Sequence, residues 1–129
     1  MALNVLIVDD SKVMRSMVLK TMKMAQVPLG DVIQAGNGQE GLDALDENWI
    51  DLVLVDINMP VMNGEEMIRR MRAAQETADI PVVVISTEGS ETRIARLKEM
   101  GAAFVHKPFT PEEIRDTIYS LTGLGENHE

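Results

Sequence analysis

The chain has 129 residues, enough for one domain with its own apolar core. It contains no cysteine, which excludes disulfides and thiolate metal sites, and its 45% hydrophobic to 26% charged balance is that of an ordinary globular protein. Acidic residues outnumber basic ones 21 to 12, a formal net charge of -9, and no dense Lys/Arg run offsets this, so direct binding to DNA is not expected.

The first predicted strand is the β-branched apolar run 3–8, which ends at Asp9 and Asp10. It lacks a basic leader and is too short for a signal peptide or a membrane span, so a cytoplasmic protein is expected, with no membrane insertion. Ser11 is placed to cap a helix over 11–24, with Val13, Met14, Met17, Val18 and Leu19 as its apolar face. Pro28, Gly30 and Asp31 interrupt the pattern, Val32 and Ile33 form a short second strand, and Asn37-Gly38 turns the chain into a helix over 39–48. The third strand, 52–55, is wholly apolar and ends at Asp56. A loop with Pro60, Asn63 and Gly64 leads to a helix over 65–74, and Pro81 opens a fourth strand, 82–85, that stops at Ser86. A helix over 92–100 is ended by Gly101, the fifth strand is 102–105, and Thr110 caps a last helix that Pro111 begins. The polar tail, 123–129, is expected to fray.

Five β–α units in succession, with strands apolar on both faces, predict a doubly wound parallel α/β sheet in a single domain. In such folds ligands sit outside the carboxyl ends of the strands. Asp9 and Asp10 arrive there from strand one, Asp56 from strand three, Ser86 and Thr87 from strand four, and His106, Lys107 and Pro108 from strand five. Three carboxylates in one crevice repel, and a hard divalent ion such as Mg²⁺ relieves that. Taken singly, Asp9 and Asp10 read equally well as helix-capping acids, Ser86 as a turn residue and Lys107 as a simple ion-pair partner. Taken together they provide an oxygen-rich metal site, a carboxylate nucleophile, a hydroxyl and a fixed cation, the set that phosphoryl transfer requires. Lys107 precedes Pro108, so its backbone avoids the helical region and a cis bond is allowed.

The DD after strand one, the lone D of VLVDINMPVMNG, the ST after strand four and the HKPF after strand five resemble bacterial response-regulator receivers, of the stand-alone chemotaxis (CheY-like) kind. The resemblance spans about 3–121 and implies the flavodoxin-like strand order 2-1-3-4-5. It implies that Asp56 is the phosphoacceptor, that Asp9, Asp10, Asp56 and the backbone carbonyl of Asn58 hold Mg²⁺, and that Lys107 and Ser86 engage the phosphoryl group. Ser86 and Phe104 match the switch residues, Asn58 and Glu88 the positions that tune dephosphorylation, and Pro60 and Gly64 the turn after the acceptor strand. It further implies a phosphorelay protein that is not an enzyme beyond its own phosphorylation and dephosphorylation. The implied phosphodonor is a CheA-like sensor histidine kinase, a phosphatase is a candidate partner, and the output partner docks on the face of the fourth helix, fifth strand and fifth helix. Arg93, Arg96 and Arg115 are the surface residues expected to choose that partner, and a monomer is expected.

The chain also departs from the pattern. Phe104 stands where many receivers carry Tyr, Thr87 where a small residue is common, and the segment 25–30 looks longer than in familiar chemotaxis proteins. Met14, Met17, Met67 and Met71 fall at helical spacing and read as core, whereas Met59 and Met62, in the loop after Asp56, offer a soft contact surface. His106 reads as a packing or solvent histidine, and His128 lies in the tail. Three alternatives stay open: a metal-dependent phosphohydrolase, though Asn58 occupies the place of its usual second Asp; a pseudo-receiver that never cycles phosphate; and a phosphate sink or relay without motor output.

Overall fold

The computed structural model describes residues 2–123; the tail expectation, His128 included, lies almost wholly outside them. The elements are β1 (Leu3–Val8), α1 (Lys12–Met24), β2 (Leu29–Ala35), α2 (Gly38–Glu47), β3 (Leu52–Val55), α3 (Gly64–Ala73), β4 (Val82–Ser86), α4 (Glu91–Glu99), β5 (Ala103–His106) and α5 (Pro111–Thr122). The five strands form one parallel sheet in the order β2-β1-β3-β4-β5. This is the flavodoxin-like arrangement expected from the sequence.

Strand alternation sends the apolar runs to two opposite cores. Val5 and Ile7 of β1, Leu52 and Leu54 of β3, and Val83 and Ile85 of β4 meet Val18 and Met22 of α1 and Ile114 and Ile118 of α5. The intervening Leu6, Val8, Val53, Val55, Val82 and Val84 meet Met67, Ile68 and Met71 of α3 and Leu97 of α4. Burial on both faces is why β3 carries no polar residue and why those of β1 and β4, Asn4 and Ser86, stand near a strand end.

Side-chain oxygens set the helix starts. Ser11, Asn37, Asn63, Ser90 and Thr110 each accept a backbone N–H three residues on, and Glu113 closes a reciprocal pair with Thr110. Gly101 stops α4 at φ 82°, a left-handed geometry in which the Ala102 N–H reaches Leu97 O.

Two expectations are corrected. β2 begins at Leu29, not Val32, because Leu3 pairs with Leu29 and the Asp31 N–H donates to Asn4 Oδ1 across an irregularity in the register. Only residues 25–28 therefore join α1 to β2. On α1, Met14 and Leu19 pack partly and Val18 and Met22 fully, but Val13 and Met17 face outward. Met17 is therefore not a core residue, whereas Met67 and Met71 are.

Arg72 of α3 ties the C-terminal end of α4 to the sheet's far edge. Its Nε donates to Met100 O at 2.7 Å, and its Nη1 to Ile80 O at 2.8 Å and Ala78 O at 3.0 Å. Burial disfavours its charge, and Asp79 partly offsets that. Arg72→Ala strands these carbonyls, and a loss of about 2–3 kcal/mol in urea unfolding is expected. At the same, amino-terminal end of the sheet, Trp49 stands 82% exposed between α2 and β3.

Candidate functional site

The carboxyl ends of β1, β3, β4 and β5 bring Asp9, Asp10, Asp56, Ser86 and Lys107 to one edge of the sheet. β1 and β3 pair with Val8 beside Val55, and the Asp56 N–H donates to Val8 O at 3.0 Å, so the acids that follow both strands stand side by side. Carboxylate oxygens of Asp9, Asp10 and Asp56 all lie within 4.8 Å of one another.

Each acid has a distinct environment. Asp9 is 5% exposed, and its Oδ1 accepts from the Ser11 N–H at 2.9 Å. Arg15 Nη1 reaches the Asp9 carbonyl at 2.6 Å, which fixes the backbone beneath the pair. Burial pushes the Asp9 carboxyl above the usual range, and the Asp56 and Asp10 charges add to it; the Ser11 N–H and Lys107 pull the other way. Asp10 is exposed. Asp56 is half-buried, and its Oδ1 is held by the Ile57 N–H at 2.8 Å, leaving Oδ2 toward Lys107.

Lys107 Nζ lies 3.6 Å from Asp9 Oδ2 and 3.7 Å from Asp56 Oδ2, the ion-pair role that the sequence allowed. Its bond to Pro108 is cis. Ser86 is fully buried, with Oγ accepting from the Glu88 N–H at 3.1 Å. Asn58 is exposed, two residues beyond Asp56. One positive charge against three negative ones leaves a deficit, and the all-oxygen donor set fits a hard cation such as Mg²⁺.

The loop after β3 is tightly made. The Met62 N–H donates to Pro60 O at 2.7 Å around Val61, whose φ of 67° is rare for a β-branched residue. The Gly64 N–H then returns to Ile57 O at 2.9 Å. A Cβ on Gly64 would strike the Asp56 carbonyl and lie 3.0 Å from its carbon, so only glycine lets α3 begin over the Asp56 backbone. Gly64→Ala is expected to cost about 2–4 kcal/mol in chemical unfolding, because backbone on both sides must shift. Met62 is buried in the core and its carbonyl accepts from Gly38, so it is not the soft contact surface expected of it.

Phe104 packs partly against the core on the α4 side, with its ring 5.2 Å from that of His106. Glu88 accepts from Arg93 Nη1 at 3.3 Å and from the Ser90 N–H at 3.0 Å. The sequence reading missed Glu65. It sits in the first turn of α3, where an acid is unremarkable, and its partners Arg93 and Arg96 are 28 and 31 residues away.

Comparison with known proteins agrees with this geometry. Residues 5–119 match the family model for the response regulator receiver domain. The chain is 31% identical over 125 residues to the chemotaxis protein CheY homolog of Campylobacter jejuni, covering 95% of each. It is 32% identical over 126 residues to chemotaxis protein CheY1 of Helicobacter pylori, covering 96% of this chain and all of that one. Among solved structures, chemotaxis protein CheY4 of Vibrio cholerae superposes with a TM-score of 0.81 at 32% identity, over 94% of this chain and 99% of that one. With the strand order, the acid cluster and the lysine in place, the chain belongs to the response regulator receiver domain family, of the CheY-like kind.

Proposed function

We propose that the chain is a chemotaxis-type switch that takes a phosphoryl group onto Asp56 from the phosphohistidine of a CheA-like histidine kinase and then engages a protein partner. The observation that carries this reading is the convergence of Asp9, Asp10 and Asp56 beside Lys107 at the strand ends. Asp9, Asp10, Asp56 and the carbonyl of Asn58 would hold Mg²⁺, which when bound supplies positive charge against the oxygens of the transferring group.

The Ile57 N–H pins Asp56 Oδ1 and leaves Oδ2 to attack. The Oδ2–P bond forms as the bond between phosphorus and the donor's imidazole nitrogen breaks. Lys107, already facing Oδ2, pairs with a phosphoryl oxygen, and Ser86 turns its hydroxyl to donate to another. Water later cleaves the acyl phosphate at phosphorus and restores the carboxylate; Asn58 and Glu88 flank its approach and tune that rate.

The signal is a shift in population between two arrangements. Ser86 leaves the Glu88 N–H, Phe104 rotates inward, and the face of α4, β5 and α5 changes shape for its partner. Arg93 and Arg96 enter this face already tied to Glu65, so Arg115, paired only with its neighbour Asp116 in the ion pairs of the described residues, is the freer contact. A phosphatase is a further partner of the same site. The protein works as a single receiver domain, core about 3–122, and as a cytoplasmic monomer without direct DNA contact. No helix among the described residues is long and apolar enough to cross a membrane, and the net charge of -9 disfavours nucleic acid.

Incubation with acetyl phosphate and Mg²⁺ is expected to add one phosphate by intact mass. Chelation of the metal, or Asp56→Ala, abolishes it. Addition that persists in Asp56→Ala overturns the assignment.

A further inference from the structure

Glu65 is a buried carboxylate that the chemistry at the strand ends does not use. It is 7% exposed, and three arginines reach it. Arg96 of α4 places Nε at 2.9 Å and Nη2 at 3.3 Å, Arg93 of α4 places Nε at 3.2 Å, and Arg69 of α3 itself comes to 3.3 Å. These contacts hold the Glu65 carboxyl below the usual range, the Arg96 hydrogen bond most of all.

Arg93 has a second acid. Its Nη1 meets Glu88 Oε1 at 3.3 Å, and the other Glu88 oxygen accepts from the N–H of Ser90, the cap of α4. The Glu88 N–H in turn donates to Ser86 Oγ. An unbroken string of polar contacts thus runs from Ser86 through Glu88 and Arg93 to Glu65, and on to Arg96.

The helix held by this string has few other attachments. Of its nine residues only Leu97 is fully buried. Arg93 in its first turn and Arg96 in its last both hold Glu65, and Arg72 fastens the Met100 carbonyl that follows. Elements with little buried apolar surface are the ones that move at low cost. A partly buried, multiply hydrogen-bonded carboxylate is also a stronger fastening than exposed pairs.

We propose that Glu65 is a positioning residue that latches α4 against α3 in the unphosphorylated arrangement, and that capture of a phosphoryl oxygen by Ser86 is coupled, through Glu88 and Arg93, to release of the latch. This rests on the reading of Asp56 as phosphoacceptor and extends it to the groups that carry the signal outward. In this proposal Ser86 Oγ is drawn toward the phosphoryl group and away from the Glu88 N–H. Once Glu88 shifts, Arg93 loses one of its two acids, and the hold of Glu65 on the first turn of α4 is weakened.

Beryllofluoride, which occupies Asp56 in the presence of Mg²⁺ as a phosphoryl mimic, tests this by fluorine NMR titration of the full chain. Glu65→Gln is expected to bind it about fivefold more tightly than wild type, because the ligand no longer has to open the latch. Amides of Glu91–Glu99 should exchange hydrogen faster in the free variant than in free wild type, and equally fast once both are loaded. A chain that is merely less stable has no reason to hold the mimic more tightly. Unchanged or weaker binding by a folded Glu65→Gln overturns the latch. Should that variant fail to fold, Arg96→Ala, altered on the exposed helix, is read in the same way and decides it. Wild-type binding that is lost in Asp56→Asn, with Glu65→Gln matching wild type, removes the latch alone; absence of wild-type binding removes the phosphoacceptor reading and the latch with it.

Discussion

A chain carrying Lys107→Met is expected to take up phosphate from acetyl phosphate about a hundredfold more slowly than wild type, with Mg²⁺ present for both. Among the described residues Lys107 is the one cation paired with Asp9 or Asp56, and in the proposed function its ammonium faces the negative charge that spreads as the phosphoryl group transfers. Methionine keeps the length and the apolar stem and removes only the charge and its donors. Some loss of folding stability is expected alongside, because Asp9 and Asp56 are left without the cation that both face at 3.6 and 3.7 Å. Phosphate mass against time gives the rate, and a thermal melt gives the stability. A rate within threefold of wild type would reduce Lys107 to an ion-pair partner of Asp9.

Asp9→Asn is expected to stabilise the metal-free protein at neutral pH by about 1 kcal/mol, the repulsion of two unit charges some 4 Å apart in water. The same change should weaken Mg²⁺ binding about tenfold or more, because one ligand charge is gone. The sign follows from Asp9's carboxyl lying above the usual range, chiefly through burial. The folded state prefers the protonated acid. Ionisation therefore costs stability as pH rises from the unfolded carboxylate value to the higher folded one, and the cost is complete above both. Asp9→Asn and wild type should melt together at the acidic end of that window and diverge as pH rises to 7. Saturating Mg²⁺ should reverse their order, and wild type melting no lower than Asp9→Asn in metal-free buffer at pH 7 would count against the strained acid cluster.

The strands and the polar residues gathered at their ends were legible because each signal is local. Four-residue runs such as Leu52–Val55 have no polar residue to send outward, and the residue that ends each run is the one delivered to the sheet edge. Caps at Ser11 and Thr110 were legible for the same reason. What stayed hidden depends on pairing at a distance. Leu29 joins β2 only because Leu3 and Asn4 accept it there, so Gly30 and Asp31 read as breakers. Val13 and Met17 have the right spacing for a core face, but Met14, Val18 and Met22 take the inward stripe of α1. The Glu65 cluster joins residues from two helices with a strand between them, and no window along the chain contains it.

The solvent-facing position of Trp49 decides how this molecule can be watched. It is the sole tryptophan, and it lies before β3, a whole strand length from Asp56, the acid that follows that strand. Intrinsic emission will report on unfolding, and on quenchers free in the buffer, while staying silent as the acidic crevice fills or empties. An optical sensor for that event has to be built in, and Ile57, buried next to Asp56, is the natural place to install an indole.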